Sequence, residues 1–143
     1  MTDVNNQAMT FDDIDMEGIV AAPAYDTPPS GSYICAVSMQ QKMIGNDTPK
    51  RCVIADCELL DTLEVGTQHT EKPHAAGQKF GIMKFVDTPE KVAYMKRDFA
   101  PFLEAVGTQS VNTMVASVQN LRCKVVVSYN RDDYVNATFE VIS

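Results

Sequence analysis

Only one stretch of this chain has marked helical periodicity, and strand-forming segments lie on both sides of it. Val92, Met95, Phe99, Phe102, Leu103 and Val106 recur at three- and four-residue spacings, which places them on one face of a helix. Asp87-Thr88-Pro89-Glu90 opens that helix with a side-chain cap, an early proline and an acid in the first turn. Gly107 ends it, and Pro101 predicts a kink or a split. Before it, Ser32–Ile44, Arg51–Glu64 and Gln78–Val86 read as strands. The turn Gly45-Asn46-Asp47-Thr48-Pro49 makes the first two a hairpin, and Val65–Gly77 is a long polar loop of the kind that often carries function. After the helix, Thr113–Gln119 predicts a short further helical turn with Asn120 as a left-handed exit. Leu121–Tyr129 and Tyr134–Ile142 are two more strands around the turn Asn130–Asp133. There is no internal repeat. Three strands, a helix and two strands is the order of a mainly β (β+α) fold, a five-stranded OB-fold-like barrel with one helix between the third and fourth strands plugging its open end. A flat α+β sheet with one helix would give the same string.

The charge is unevenly distributed. Of 19 acidic residues, six (Asp3, Asp12, Asp13, Asp15, Glu17, Asp26) lie in residues 1–31, which contain no Lys or Arg and so hold −6. Residues 32–143 carry the other 13 acids and all 12 bases, leaving −1. The N-terminal segment lacks periodicity and ends in Ala22-Pro23-Ala24-Tyr25-Asp26-Thr27-Pro28-Pro29. Residues 1–30 therefore read as a flexible acidic arm with a Pro-rich linker, and residues 31–143 as one domain. No window has the roughly 20 apolar residues of a membrane span. The start lacks the basic residues and apolar run of a secretory signal, and the four cysteines (Cys35, Cys52, Cys57, Cys123) are too few for a disulfide scaffold. The expectation is a soluble cytoplasmic protein with reduced thiols.

Phosphate loops, nucleophile elbows and helical His-Glu zinc motifs are all missing, so catalysis is not expected and no cofactor is implied. Cys52, Cys57, His69 and His74 come close to the spacing of a Cys₂His₂ zinc finger. The odd separation of the cysteines points them to opposite faces of a strand, and Gly66 and Pro73 interrupt the stretch where the histidine helix would lie. Buried thiols and solvated histidines are the expected reading.

The basic residues are more informative. Lys42, Lys50 and Arg51 flank the hairpin turn; Lys79 and Lys84 lie on the third strand beside Phe80 and Phe85. Arg122 and Lys124 share one face of the fourth strand, and Arg131 lies between Tyr129 and Tyr134. Cations interleaved with aromatics suit a single-stranded nucleic-acid platform, where charge follows the phosphates and rings stack on bases. The same pattern also describes outer-face lysines over an aromatic core. On the third strand either ring could be the exposed one, and Gly81 suits a bulge or a close approach of ligand. Lys96-Arg97 reads as a solvated helix face.

Gly31-Ser32-Tyr33 opening an alternating strand, the strand Val53–Leu60, Phe102-Leu103-Glu104-Ala105-Val106-Gly107 before the apolar Cys123–Val127, and Asp133-Tyr134-Val135-Asn136 ahead of a last strand form a pattern of texture over about 110 residues. In that pattern the chain resembles the small single-stranded-DNA-binding proteins of tailed bacteriophages. The resemblance implies an OB-fold protein that coats single strands in phage replication and recombination, in the bacterial host cytoplasm, without catalysis. It departs from the family in carrying its acidic segment at the N-terminus and in having no Trp.

The expected ligand is single-stranded DNA. Lys42, Lys50, Arg51, Lys79, Lys84, Arg122, Lys124 and Arg131 would meet phosphates, and Phe80, Tyr129 and Tyr134 would stack on bases. Phe11, Asp12, Asp13 and Asp15 give the arm apolar anchors among acids, fitted to compete for the cationic groove or to recruit replication or recombination proteins. Self-association is compatible with this reading. The alternative is a virion structural or adaptor β-domain docking through its acidic arm, followed by a small zinc module.

Overall fold

A strand with two different neighbours and one buried face must alternate strictly, and Gly31–Ile44 (β1) does so: Tyr33, Cys35, Val37 and Met39 are all buried. The computed structural model describes residues 27–142. Phe11, Asp12, Asp13 and Asp15 of the arm lie outside the described residues. β1 pairs along its whole length with Lys50–Val65 (β2), and its first half, Gly31–Val37, pairs with Leu121–Tyr129 (β4). Lys79–Phe85 (β3) pairs with β2, and Val135–Val141 (β5) with β4. Every pairing is antiparallel, and the five strands form one sheet in the order β3-β2-β1-β4-β5.

The sheet does not close: no ladder joins β3 to β5 among the described residues. Helices occupy the space between those two edges. The expected single helix is split into Pro89–Asp98 (α1) and Ala100–Val106 (α2), and Val111–Ser117 (α3) makes three. The split follows from Pro101, which has no N–H to donate and is tolerated only in the first turn of a new helix. Thr88 caps α1 by accepting from the Lys91 N–H, and Gly107, at φ 78°, terminates α2 in the left-handed region. α3 begins two residues before the expected Thr113 because Ser110 supplies its cap.

α1 touches both β3 and β5, and α2 touches β5. The contact is aromatic. Phe99, Phe102 and Phe139 have ring centroids 5.7, 5.8 and 4.9 Å apart in tilted and edge-to-face arrangements, tying the α1–α2 junction to the last strand. Just past the point where β4 ends, β1 is bonded at Ser38 and Met39 by the exit from α3. The Met39 N–H donates to the Val118 carbonyl (2.9 Å), Gln119 Nε2 donates to the Met39 carbonyl (3.1 Å), and the Asn120 N–H donates to Ser38 Oγ (3.0 Å). Asn120 sits at φ 55°, the expected left-handed exit.

The bulges lie elsewhere than expected. Gly81 is in unbroken register opposite Asp56, and a Cβ there would meet Ile54 and Asp56 atoms at ordinary distances of 3.5 and 3.6 Å. The irregularities are in β2, where Leu60 and Leu63 are skipped in the pairing with β1 and are exposed.

At the start of β1, part of the expected linker is packed. Pro28, Pro29 and Ser30 are buried, the Tyr129 hydroxyl donates to the Pro28 carbonyl (2.7 Å), and the Tyr33 hydroxyl donates to the Pro29 carbonyl (2.6 Å). The Ser30 N–H donates to the Gln68 carbonyl (3.0 Å), bringing the 66–77 loop against the same end.

Removing the Phe102 ring, which is fully buried in the aromatic cluster, opens a cavity that rigid neighbours cannot refill. The expected cost of Phe102→Ala is about 3–5 kcal/mol. It is read as a lowered urea midpoint with an unchanged slope.

Candidate nucleic-acid interface

Strand parity decides which side chains leave the core. In β4, Cys123, Val125 and Val127 are buried against the helices, so Arg122, Lys124 and Val126 project from the opposite, outer face. The register carries that face across the sheet. Lys79, Glu58, Ala36 and Arg122 are successive cross-strand partners on β3, β2, β1 and β4. Asp61, Ile34, Lys124 and Glu140 form a second row running through to β5. Lys79 and Arg122 are exposed, and none of Lys79, Arg122 and Lys124 has an ion-pair partner among the described residues. Their cross-strand neighbours include acids, so the face has alternating charge over an apolar ground of Ile34, Val126 and Met83. A shallow depression beside Lys79 is lined by Ala36, Ser38, Asp56, Glu58 and Asn120.

The hairpin end carries Lys42, Lys50 and Arg51, all exposed. Lys50 lies 3.9 Å from Asp87. Arg51 is held by neutral acceptors: its Nε donates to Gln41 Oε1 (2.6 Å) and its Nη2 to Asn112 Oδ1 (3.1 Å). Sequence reasoning did not find Gln41 or Asn112, because nothing local links residues separated by 71 positions in the chain.

Two of the expected contact residues face the wrong way. Phe80 is fully buried in the core beneath the sheet, with no ring face left to stack on a base. Lys84 has the same parity as Phe80 and Ile82, and its Nζ lies 2.7 Å from Asp98 on α1. Burial by itself would raise the Asp98 carboxyl, but hydrogen bonds from Arg97 and Lys84 outweigh it and hold the group below the ordinary carboxylate range. Lys84 thus serves to fix α1 on β3.

The remaining candidates sit at the far end. Tyr129 is half-buried, with its hydroxyl engaged by Pro28 and its ring 4.1 Å from that of His69. Gln68 brackets its backbone, donating to the Tyr129 carbonyl (2.9 Å) and accepting from its N–H (3.1 Å). Tyr134 is 71% exposed, and Arg131 is exposed in the same turn. Tyr94, with the Arg97 guanidinium 5.2 Å from its ring centroid, is a second exposed aromatic, carried on α1.

The zinc-like quartet is dispersed. Cys57 belongs to the core under the sheet, whereas Cys52 pairs with Lys42 and Phe85 at the opposite parity. His69 bonds through Nε2 to Asp133 Oδ1 at the far end. No group of three or more His, Cys, Asp or Glu fit to hold a metal occurs among the described residues, and none of their helices is long and apolar enough to cross a membrane.

Burial pushes the Cys35 thiol, directly opposite Cys123 in the β1–β4 ladder, up to about 12, with Cys123 adding to the shift. Burial pushes Cys123 up to about 11. Below the ordinary thiol value of 9.0 both groups are protonated whether the chain is folded or not, so they leave stability independent of pH. Above it the unfolded chain sheds protons that the folded chain keeps, and stability falls as pH rises towards 11. Urea denaturation at pH 8, 9.5 and 10.5 should show this decline, with less of it in a Cys35→Ala, Cys123→Ala double variant.

Comparison with models of protein families, with curated proteins and with solved structures finds no match to this chain.

Proposed function

We propose that this protein binds single-stranded DNA without catalysis and with little sequence preference, as the coating proteins of phage replication and recombination do. The observation that carries the reading is how its cations are divided. Around α1, Lys84, Lys91 and Arg97 pair with Asp87 and Asp98, and Lys50 of the hairpin lies 3.9 Å from Asp87, while Lys96 on α1 has no ion pair among the described residues. Lys42, Lys79, Arg122 and Lys124, on the hairpin and outer face, have no ion pair among the described residues. Cations without a partner are the ones that gain most from a phosphate. The strand order supports an OB-like architecture, since joining the β3 and β5 edges would complete a five-stranded antiparallel-rich barrel. In this reading Tyr134 is the stacking ring, and Phe80 and Lys84 take no part.

The acidic arm belongs to the same proposal. Its Asp12, Asp13 and Asp15 compete with DNA for the free cations, and its apolar residues offer a handle to replication or recombination partners.

Fluorescence anisotropy of a labelled 30-mer single strand against its duplex, at two salt concentrations, tests the reading. The expected result is preferential single-strand binding that weakens with salt. Lys124→Glu should weaken it several-fold and flatten the salt slope by at least about 0.7, the change for one lost single-strand phosphate contact. Lys84→Gln should leave affinity unchanged. Deleting residues 1–24 should tighten binding, most at low salt where screening is weakest. Absence of binding at low salt for both the full chain and the arm-deleted form overturns the proposal.

A second reading, a virion structural or adaptor domain, is favoured by one observation. Leu60, Leu63 and Val65 are exposed at 43%, 51% and 55% on the bulged end of β2. An apolar group beside Asp61 and Glu64 suits a protein partner better than a phosphate chain. Crosslinking to a capsid component without DNA binding would select it.

A further inference from the structure

The hairpin overhang, where β1 and β2 run on past β4, is held to α3 by three polar side chains whose hydrogen bonds are unequally spent. Asn112 Oδ1 accepts from Gln41 Nε2 (2.8 Å) and from Arg51 Nη2 (3.1 Å), which uses both of its lone pairs. Gln41 Oε1 accepts from Arg51 Nε (2.6 Å). The acceptor oxygens are therefore engaged inside the cluster. The donors that remain are Arg51 Nη1 and the Asn112 amide N–H groups, and Lys42, of opposite strand parity to Gln41, lines the same depression. None of these has a partner among the described residues.

These groups line one depression of about 350 Å³, bounded by Gln41, Lys42, Met43, Arg51 and Asn112, with no carboxylate in its wall. An arginine with two of its nitrogens fixed has lost much of the rotamer freedom that binding would otherwise have to remove. A site offering spare donors, two positive charges and no acid is matched to an anion with several acceptor oxygens.

We propose that the junction of the β1–β2 hairpin with α3 is an oxyanion site that takes a phosphate group, held by Arg51, Asn112 and Lys42. Gln41 positions Arg51 within it. The proposal deepens the single-strand reading and rests on it only for the source of the phosphate, which is a phosphodiester of the bound strand or free inorganic phosphate. It also separates the work of the cations: this site holds one phosphate in fixed geometry, while Lys79, Arg122 and Lys124 contribute charge.

The test is a titration of the full chain, labelled with ¹⁵N, with inorganic phosphate at constant ionic strength. Saturable shifts of the Arg51 Nε–H and Asn112 side-chain amide signals are expected. Asn112→Asp sets a carboxylate against Arg51 and should abolish saturation while melting normally. Lys42→Gln should weaken binding about three- to tenfold. Shifts that stay linear and equal to those of other surface arginines, or an unaltered response in Asn112→Asp, would overturn the proposal and leave the cluster as a brace between hairpin and helix. A single-stranded 30-mer is then added to the phosphate-loaded protein. Displacement of phosphate identifies the strand as the source. Retention of phosphate alongside bound DNA upholds the site and assigns it to the free ion. Failure of the protein to bind DNA at all would overturn the single-strand reading and leave a saturable phosphate site standing.

Discussion

β1 is the strand on which the other elements are assembled. It exchanges backbone hydrogen bonds with β2 along its whole length and with β4 along its first half, and at Met39 it bonds to the exit from α3. Where it has partners on both edges its backbone groups are satisfied, so its side chains decide what its two faces do. Tyr33, Cys35, Val37 and Met39 commit one face to the core, and the other becomes the outer surface. The start of the strand is fixed as firmly. Gly31 has φ 152° and lies so close to the Glu64 carbonyl that a Cβ there would collide with it. The first residue of β1 is thereby set by backbone approach, and the two bulges of β2 bend that partner around it.

From this frame follows the division of charge. Asp98 at the end of α1 and Asp87 just before it pair with Lys84, Lys91 and Lys50, whereas Arg51 on the same side is held by neutral acceptors. Among the described residues, Lys79, Arg122 and Lys124 on the opposite side have cross-strand neighbours within the sheet and no ion pair from a second element. This is a modest electrostatic surface. Its partial compensation by Glu58, Asp61 and Glu140 favours weak, salt-sensitive contacts over tight clamping.

What the sequence disclosed was local. Pro101 and Gly107 mark the split and the end of the helical segment because their effects act on their own backbone, and the fourth strand, Leu121–Tyr129, matches residue for residue. Parity told that Cys52 and Cys57 point apart. The third strand was ambiguous because Phe80 and Phe85 have opposite parity and either ring could fill a core; only the position of Asp98 on α1 shows that Lys84 and Phe80 face the helices. Closure into a barrel is a contact between the two most distant edges, and no alternation pattern encodes it. The union of Gln41, Arg51 and Asn112 is likewise a product of topology, since α3 reaches the hairpin only after the fold has carried it back along β1.

The chain enters the domain at Pro28–Ser30, between Tyr129 and the Gln68 loop, and the elements that hold it there carry Glu64, Glu71, Asp132 and Asp133. Lys72 and Arg131 stand among them, so acids outnumber bases where an arm of charge −6 joins the domain. The unpaired cations lie farther along the sheet, at Lys79, Arg122 and Lys124, and at the opposite end, at Lys42 and Arg51. The 26 residues before Thr27 can span on the order of 85 Å when extended, enough to reach any point on a domain of this size. That reach would let the arm compete for the unpaired cations of the proposed strand-binding surface. A basic partner would meet it on the same terms, and the salt dependence of competition is the property that an electrostatic arm of either kind must share.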